Sequence, residues 1–252
     1  MPSICIIGDL KTGYVDATTA YQLGAYSLCK SYTSQQPLPP LDEGLILRVN
    51  EDRCEPIRIP SKRLKESAEL FLCALKLYRD GVISGLIKPK DADIYPLLMG
   101  AGHVFYPRVT SILKVLNREM LNQWMVKQSV KYTLKEMIAH KRDAATTLEL
   151  YENGLFDPQQ GAFKHRDSRG TEGRDLHRLV HNYLTGKPIS LDQESIWVQS
   201  AFRKFEAWAK EVNLTLVDGL AETKIYSPDY QFAGTLDYVA TMEVADATEN
   251  IP

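Results

Sequence analysis

The chain is short of cysteine, of net charge and of long apolar runs, and each shortage closes off a class of function. Its four cysteines, Cys5, Cys29, Cys54 and Cys73, lie far apart with no C-x-x-C pair. That spacing excludes a zinc ribbon and a clustered iron–sulfur site. Cys5 sits in an apolar strand-like run and Cys29 and Cys73 in helical patterns, so the thiols read as reduced and structural. No apolar stretch approaches the roughly 20 residues that span a bilayer, and the N-terminus has no signal-peptide pattern. A cytoplasmic protein away from membranes is the expectation. Thirty basic residues stand against 32 acidic ones, a net charge of −2. That balance neither calls for nor excludes a nucleic-acid partner, because a basic groove can sit in a neutral protein.

What is present suits one large α/β domain: 252 residues, 44% hydrophobic and 25% charged, ample for a buried core. Ile4-Cys5-Ile6-Ile7, ended by Gly8, reads as a buried strand. A helical pattern covers residues 18–32. A proline-bearing loop follows, then strands over 44–49 and 56–59, then a helix from Ser61. Residues 81–105 lack a period and are rich in Gly and Pro, so they read as a linker. A helix over 111–116 and a longer one over 121–140 come next, and residues 157–170 read as a loop. A helix over 173–184 ends at Gly186. Ser190 and Gln193 look like a capping box for a helix that puts Ile196, Phe202, Phe205 and Trp208 on its apolar side. Strands over 215–226 and 232–243 close the pattern, and residues 246–252 read as a polar tail.

Four features carry chemistry. Asp9-x-Lys11 stands at a strand end, where residues two apart share a face. The carboxylate suits a hard divalent cation and the ammonium suits charge developing on a phosphate, although the same pair also marks solvated sheet edges. Asp237 sits inside the apolar strand Phe232-Ala233-Gly234-Thr235-Leu236-Asp237-Tyr238, and a buried carboxylate needs a cation, a metal or a backbone amide. Gly173-x-x-x-His177 opens a helix, with His181 one turn on. Gln22-x-x-x-Tyr26 occupies one face of the helix after Asp9. Lys127, Lys131 and Lys135 form an i, i+4, i+8 stripe, which is either a phosphate-contacting face or an ordinary solvated one. Lys164, Arg166 and Arg169 are a second set of phosphate candidates.

The residues around Asp237, Asp9-x-Lys11, Gly173-x-x-x-His177 and Gln22-x-x-x-Tyr26 together resemble the motif set of RecB-type nucleases of the PD-(D/E)XK superfamily, which includes phage recombination exonucleases. Ile7-Gly8-Asp9-Leu10-Lys11-Thr12-Gly13 and Gly234-Thr235-Leu236-Asp237 are close to the two acidic motifs. Tyr106-Pro107-Arg108-Val109-Thr110-Ser111-Ile112-Leu113, followed by Leu121-x-x-Trp124, resembles the start of such domains. The order departs from the family: Asp9, Lys11, Gln22 and Tyr26 come first, His177 and Asp237 last. Joining Pro252 to Met1 restores the family order, with Met99 as the ancestral start, so the chain reads as a circular permutation.

The resemblance implies a restriction-endonuclease-like mixed sheet flanked by helices. It implies a metal-dependent DNA nuclease, an exonuclease of recombination, repair or replication in a bacterial or phage-infected cell. Its partners would be DNA and phage or bacterial recombination proteins. Asp237, Asp9, the Leu10 carbonyl and His177 would hold Mg²⁺ or Mn²⁺, Lys11 would act on water or the transition state, and Gln22 and Tyr26 would hold the scissile strand or support Lys11. Glu222 is either an extra acid or a surface strand residue. The strand over 4–8 should pair antiparallel with 232–243, and Asp237 or Asp9 should be hard to ionise. The competing readings are an inactive relative that binds DNA or a partner protein, and an α/β protein whose matches are accidental, with Asp237 engaged by a backbone amide.

Overall fold

In the computed structural model, residues 2–13, 15–99, 102–116 and 119–244 are described, the side chains of 99, 119–124 and 161–169 excepted. The expected tail over 246–252 lies outside them. Among the described residues eight strands are found: β1 (Ser3–Lys11), β2 (Lys30–Ser31), β3 (Glu43–Val49), β4 (Cys54–Pro60), β5 (Ile94–Met99), β6 (Gly102–Pro107), β7 (Thr215–Ser227) and β8 (Phe232–Glu243). Seven α-helices accompany them: α1 (Ala17–Ser27), α2 (Ser61–Ile83), α3 (Val109–Ile112), α4 (Glu119–Ala139), α5 (Ala144–Glu152), α6 (Gln159–Leu184) and α7 (Ile196–Glu211).

The main sheet runs β2-β7-β8-β1-β3-β4. It is mixed: β1 and β3 are parallel, and the other neighbours are antiparallel. A parallel neighbour needs a crossover, and α1 lies between β1 and β3 in the chain. The expected pairing of the first strand with the last is present, with Ser3 opposite Glu243 and Gly8 opposite Tyr238. Ile6 and Ile7 are both fully buried and point to opposite faces. Ile7 joins a core with residues of α1, α2 and α3, while Ile6 joins one with α6 and α7. This explains why β1 reads as a continuous apolar run without alternation.

The chain divides into two compact units rather than the single one expected: residues 1–116 with 175–252, and residues 117–174. The first holds the sheet, and the second holds α4, α5 and the first part of α6.

Other expectations are corrected. Residues 81–105 are not a linker: α2 reaches Ile83, and β5 and β6 form a hairpin with Tyr95 opposite Tyr106. Pro96 hid the strand, yet proline is tolerated in an edge strand, and the alternating Tyr95 and Leu97 are buried. Of residues 157–170, expected as a loop, 159–170 belong to α6. Asp157 accepts from the Gln159 amide at 2.8 Å, capping the helix start despite the glycines within. Ser195, not Ser190, caps α7, accepting from the Val198 amide at 3.2 Å. Ile196, the first residue of α7, is 86% exposed, whereas Phe202, Phe205 and Trp208 are buried as expected.

Candidate functional site

The site forms where β1 and β8 part. Their ladder runs through Gly8 opposite Tyr238, so one step further would set Asp9 against Asp237, and there the pairing stops. Gly8 makes this last pair fit, since a Cβ on it would lie 2.1 Å from the Tyr238 ring. β1 continues alongside β3 to Lys11. The edge of β1 that β8 has left is then taken by side chains. The Leu10 amide donates to Asp237 Oδ2 at 2.7 Å, and the Leu10 carbonyl lies 3.1 Å from His177 Nε2. A carbonyl only accepts, so Nε2 carries the proton in this contact, leaving Nδ1 toward the acids.

His177 Nδ1 stands 3.7 Å from Asp237 Oδ2 and 3.8 Å from Glu222 Oε1. These are charge contacts, too long for hydrogen bonds. Glu222 faces Asp237 across the β7–β8 hairpin, between the pairs Ala221–Tyr238 and Thr223–Leu236. Its backbone has φ +49°, a left-handed conformation uncommon within a strand.

On the other side, Asp9 is 2% exposed. Its Oδ1 accepts from Lys11 Nζ at 3.2 Å and from Gln22 Nε2 at 3.0 Å. Gln22 Nε2 also donates to the Tyr26 hydroxyl at 3.1 Å, so the α1 pair backs Asp9 directly. α1 is fixed at its start by Asp16, which accepts from the Thr18 amide at 2.9 Å. Asp9 Oδ2 is buried with no hydrogen bond among the described residues. Lys11 Nζ is 3.0 Å from it, close enough for charge attraction but outside hydrogen-bond directions.

Asp237 and Asp9 are difficult to ionise. Burial, and then the neighbouring Asp9, push the Asp237 carboxyl up to about 7, against the pull of His177 and the Leu10 amide. Burial also raises Asp9, with Lys11 pulling it partly back. For His177 burial works downward, but Glu222 and Asp237 outweigh it and the imidazole is raised. The expectation that Asp237 or Asp9 resists ionisation is met, with burial the larger cause. So is part of the competing expectation, because Asp237 does engage a backbone amide.

The residues that converge on one point are His177, Glu222 and Asp237, with one ligand atom from each within 4.8 Å of the others. Among the described residues this group has Glu222 where Asp9 was expected. Asp9 instead faces Lys11, Gln22 and Tyr26. The donor set of two carboxylates and one imidazole suits a hard divalent cation such as Mg²⁺ or Mn²⁺, whereas the Leu10 carbonyl expected as a ligand lies on the Nε2 side of His177, away from that group. Asp9 Oδ2, buried without a hydrogen-bond donor among the described residues, and the two acids around His177 are groups that a cation would stabilise.

Lys127, Lys131 and Lys135 are exposed on α4, in the second unit. The side chains of Lys164, Arg166 and Arg169, and those of Leu121 and Trp124, lie outside the described residues. Among the described residues no helix is long and apolar enough to cross a membrane. No family model, curated protein or solved structure matches the chain.

Proposed function

We propose that the chain is a divalent-cation-dependent DNA nuclease with a circularly permuted, restriction-endonuclease-like PD-(D/E)XK core, acting as an exonuclease in recombination, repair or replication. The observation that carries this reading is the meeting of Asp9, Lys11, Asp237, Glu222 and His177 at the parting of β1 and β8, where contacts to Leu10 span 167 and 227 positions. Asp237, Glu222 and His177 Nδ1 would hold Mg²⁺ or Mn²⁺, with Asp9 beside them. A bound cation of this kind supplies Lewis-acid polarisation of the phosphate and a more acidic water. Hydrolysis forms a bond from water oxygen to phosphorus and breaks the bond to the bridging oxygen, which takes up a proton. Lys11, held by Asp9, presents a fixed ammonium to the charge that builds on the phosphate oxygens. Gln22 and Tyr26 keep Asp9, and through it Lys11, in place.

A second reading is a nuclease-fold module that binds DNA or a protein without cutting. One observation favours it: Asp237 and His177 already occupy the amide and carbonyl of Leu10. End-labelled DNA incubated with Mg²⁺ or Mn²⁺ separates the two. Cleavage that is abolished by EDTA and by Asp237→Asn supports the nuclease. Metal-independent binding with no cleavage in either metal overturns it in favour of the module.

A further inference from the structure

Next to the acids, the same face of the sheet turns basic. Along β7 and β8, Glu222 stands opposite Asp237, Lys224 opposite Thr235 and Tyr226 opposite Ala233. Residues two apart share a face, so the rows follow one another at about 7 Å. Lys30 of β2 pairs with Tyr226 and carries its ammonium 5.3 Å from that ring's centroid. The Arg108 guanidinium and the Lys224 ammonium lie 5.1 and 5.9 Å from the centroid of Tyr95. The Tyr95 hydroxyl shares a 3.2 Å hydrogen bond with Thr235, two residues from Asp237. Thr235 and Tyr95 thus tie the strand that bears Asp237 to Arg108 and Lys224, and Lys30 lies beside the next pair at Tyr226.

These cations differ from an ordinary solvated face in two ways. None of the three makes an ion pair among the described residues. Each is also placed on an aromatic ring, an arrangement that positions a charge without neutralising it. The rings beneath, Tyr95 and Tyr226, are 8% and 1% exposed, so they have no free face on which bases could stack. Charges without stacking surfaces contact a backbone and ignore sequence.

The geometry points to Lys224, Arg108 and Lys30 forming a phosphate track that leads a DNA strand into the acidic notch. This rests on the nuclease reading for its substrate. It makes a claim that reading does not: DNA is held by the β2–β7 face and the Arg108 segment, independently of the metal.

The test is binding of fluorescent mixed-sequence DNA in EDTA across a potassium chloride series. The proteins compared are the wild type, Lys30→Gln/Lys224→Gln and a matched pair on α2, Lys62→Gln/Lys65→Gln, with thermal melts to show that all three fold. The track variant should bind roughly tenfold more weakly per lysine at low salt. Its plot of log affinity against log salt should flatten by about 0.7 to 0.9 per lysine, with no dependence on base composition. Wild-type affinity in the track variant, or an equal loss in the α2 variant, overturns the track and leaves the nuclease reading standing. Track-dependent binding without cleavage in Mg²⁺ or Mn²⁺ supports the track and overturns the nuclease. Absence of any DNA binding overturns the track as well.

Discussion

Replacing Asp237 by asparagine isolates the cost of holding negative charge in the notch. Asparagine keeps the shape and a carbonyl oxygen for the Leu10 amide, which Asp237 accepts at 2.7 Å, but it cannot ionise. Asp237 is pushed up to about 7 in the fold, whereas an unperturbed aspartate titrates near 3.9. Between about pH 4 and pH 7 the folded protein therefore binds more protons than the unfolded chain, and its stability falls as pH rises. Asp9, also raised, and His177, whose raised imidazole stabilises below its ordinary value and ceases to do so as pH climbs, act in the same direction. Three pH units correspond to about 4 kcal/mol, which is the ceiling for the gain from Asp237→Asn above pH 7. The gain should vanish near pH 4. At about 2–4 °C per kcal/mol for a chain of this size, the variant should melt on the order of 10 °C higher at pH 8 in EDTA. The assay is a set of thermal melts from pH 5 to pH 8, with and without Mg²⁺. Added Mg²⁺ should stabilise the wild type, by about 2.7 kcal/mol at a hundredfold excess over Kd, and leave the variant unmoved. A melting difference that is the same at every pH, or a variant less stable at pH 8, would refute the reasoning.

Two further outcomes are expected. Lys11→Ala should lower kcat on DNA by about 10²–10³ while leaving DNA affinity largely intact, because its interaction belongs to the transition state; equal losses of affinity and turnover would make it a phosphate anchor. Gly24→Ala should destabilise by about 1–3 kcal/mol in urea titration despite alanine's better helix propensity, because the new Cβ would lie 2.4 Å from the Ala68 backbone nitrogen on α2. A neutral result would show that α1 and α2 separate easily.

The strands were legible because their patterns are local: Ile4 to Ile7, and Phe232 onward, announce buried strands by composition. The adjacency of β1 and β8 could be expected only through the resemblance and its rejoined order, since nothing local marks a partner so remote in sequence. Pro96 and the glycines around it concealed the β5–β6 hairpin, because turn residues signal the same whether the flanking chain is loop or edge strand. Glu222 is hard to read from the sequence for a different reason. Counting back from the turn between Ser227 and Phe232 sets it opposite Asp237, a signal that was present, but its aim depends on a left-handed backbone that no side-chain pattern reveals. Lys224 and Lys30 belong to no motif, and Arg108 reads only as part of the segment that resembles a domain start; the three come from separate segments that only the folded sheet brings together.

The contact between Leu10 and Asp237 spans 227 positions, and that separation has a consequence in time. Each doubling of a closed loop costs only about 0.6 kcal/mol in chain entropy, so the distance is a small burden on the finished fold. It matters more during synthesis, when the strand bearing Asp9 emerges long before the strand bearing Asp237. With elongation at about 5–20 residues per second, more than ten seconds separate the two. Throughout that interval β1 has no β8, the edge of Leu10 is open and the acids have not met. Any hydrolytic capacity of the notch is therefore withheld from the nascent chain and arrives only with β8.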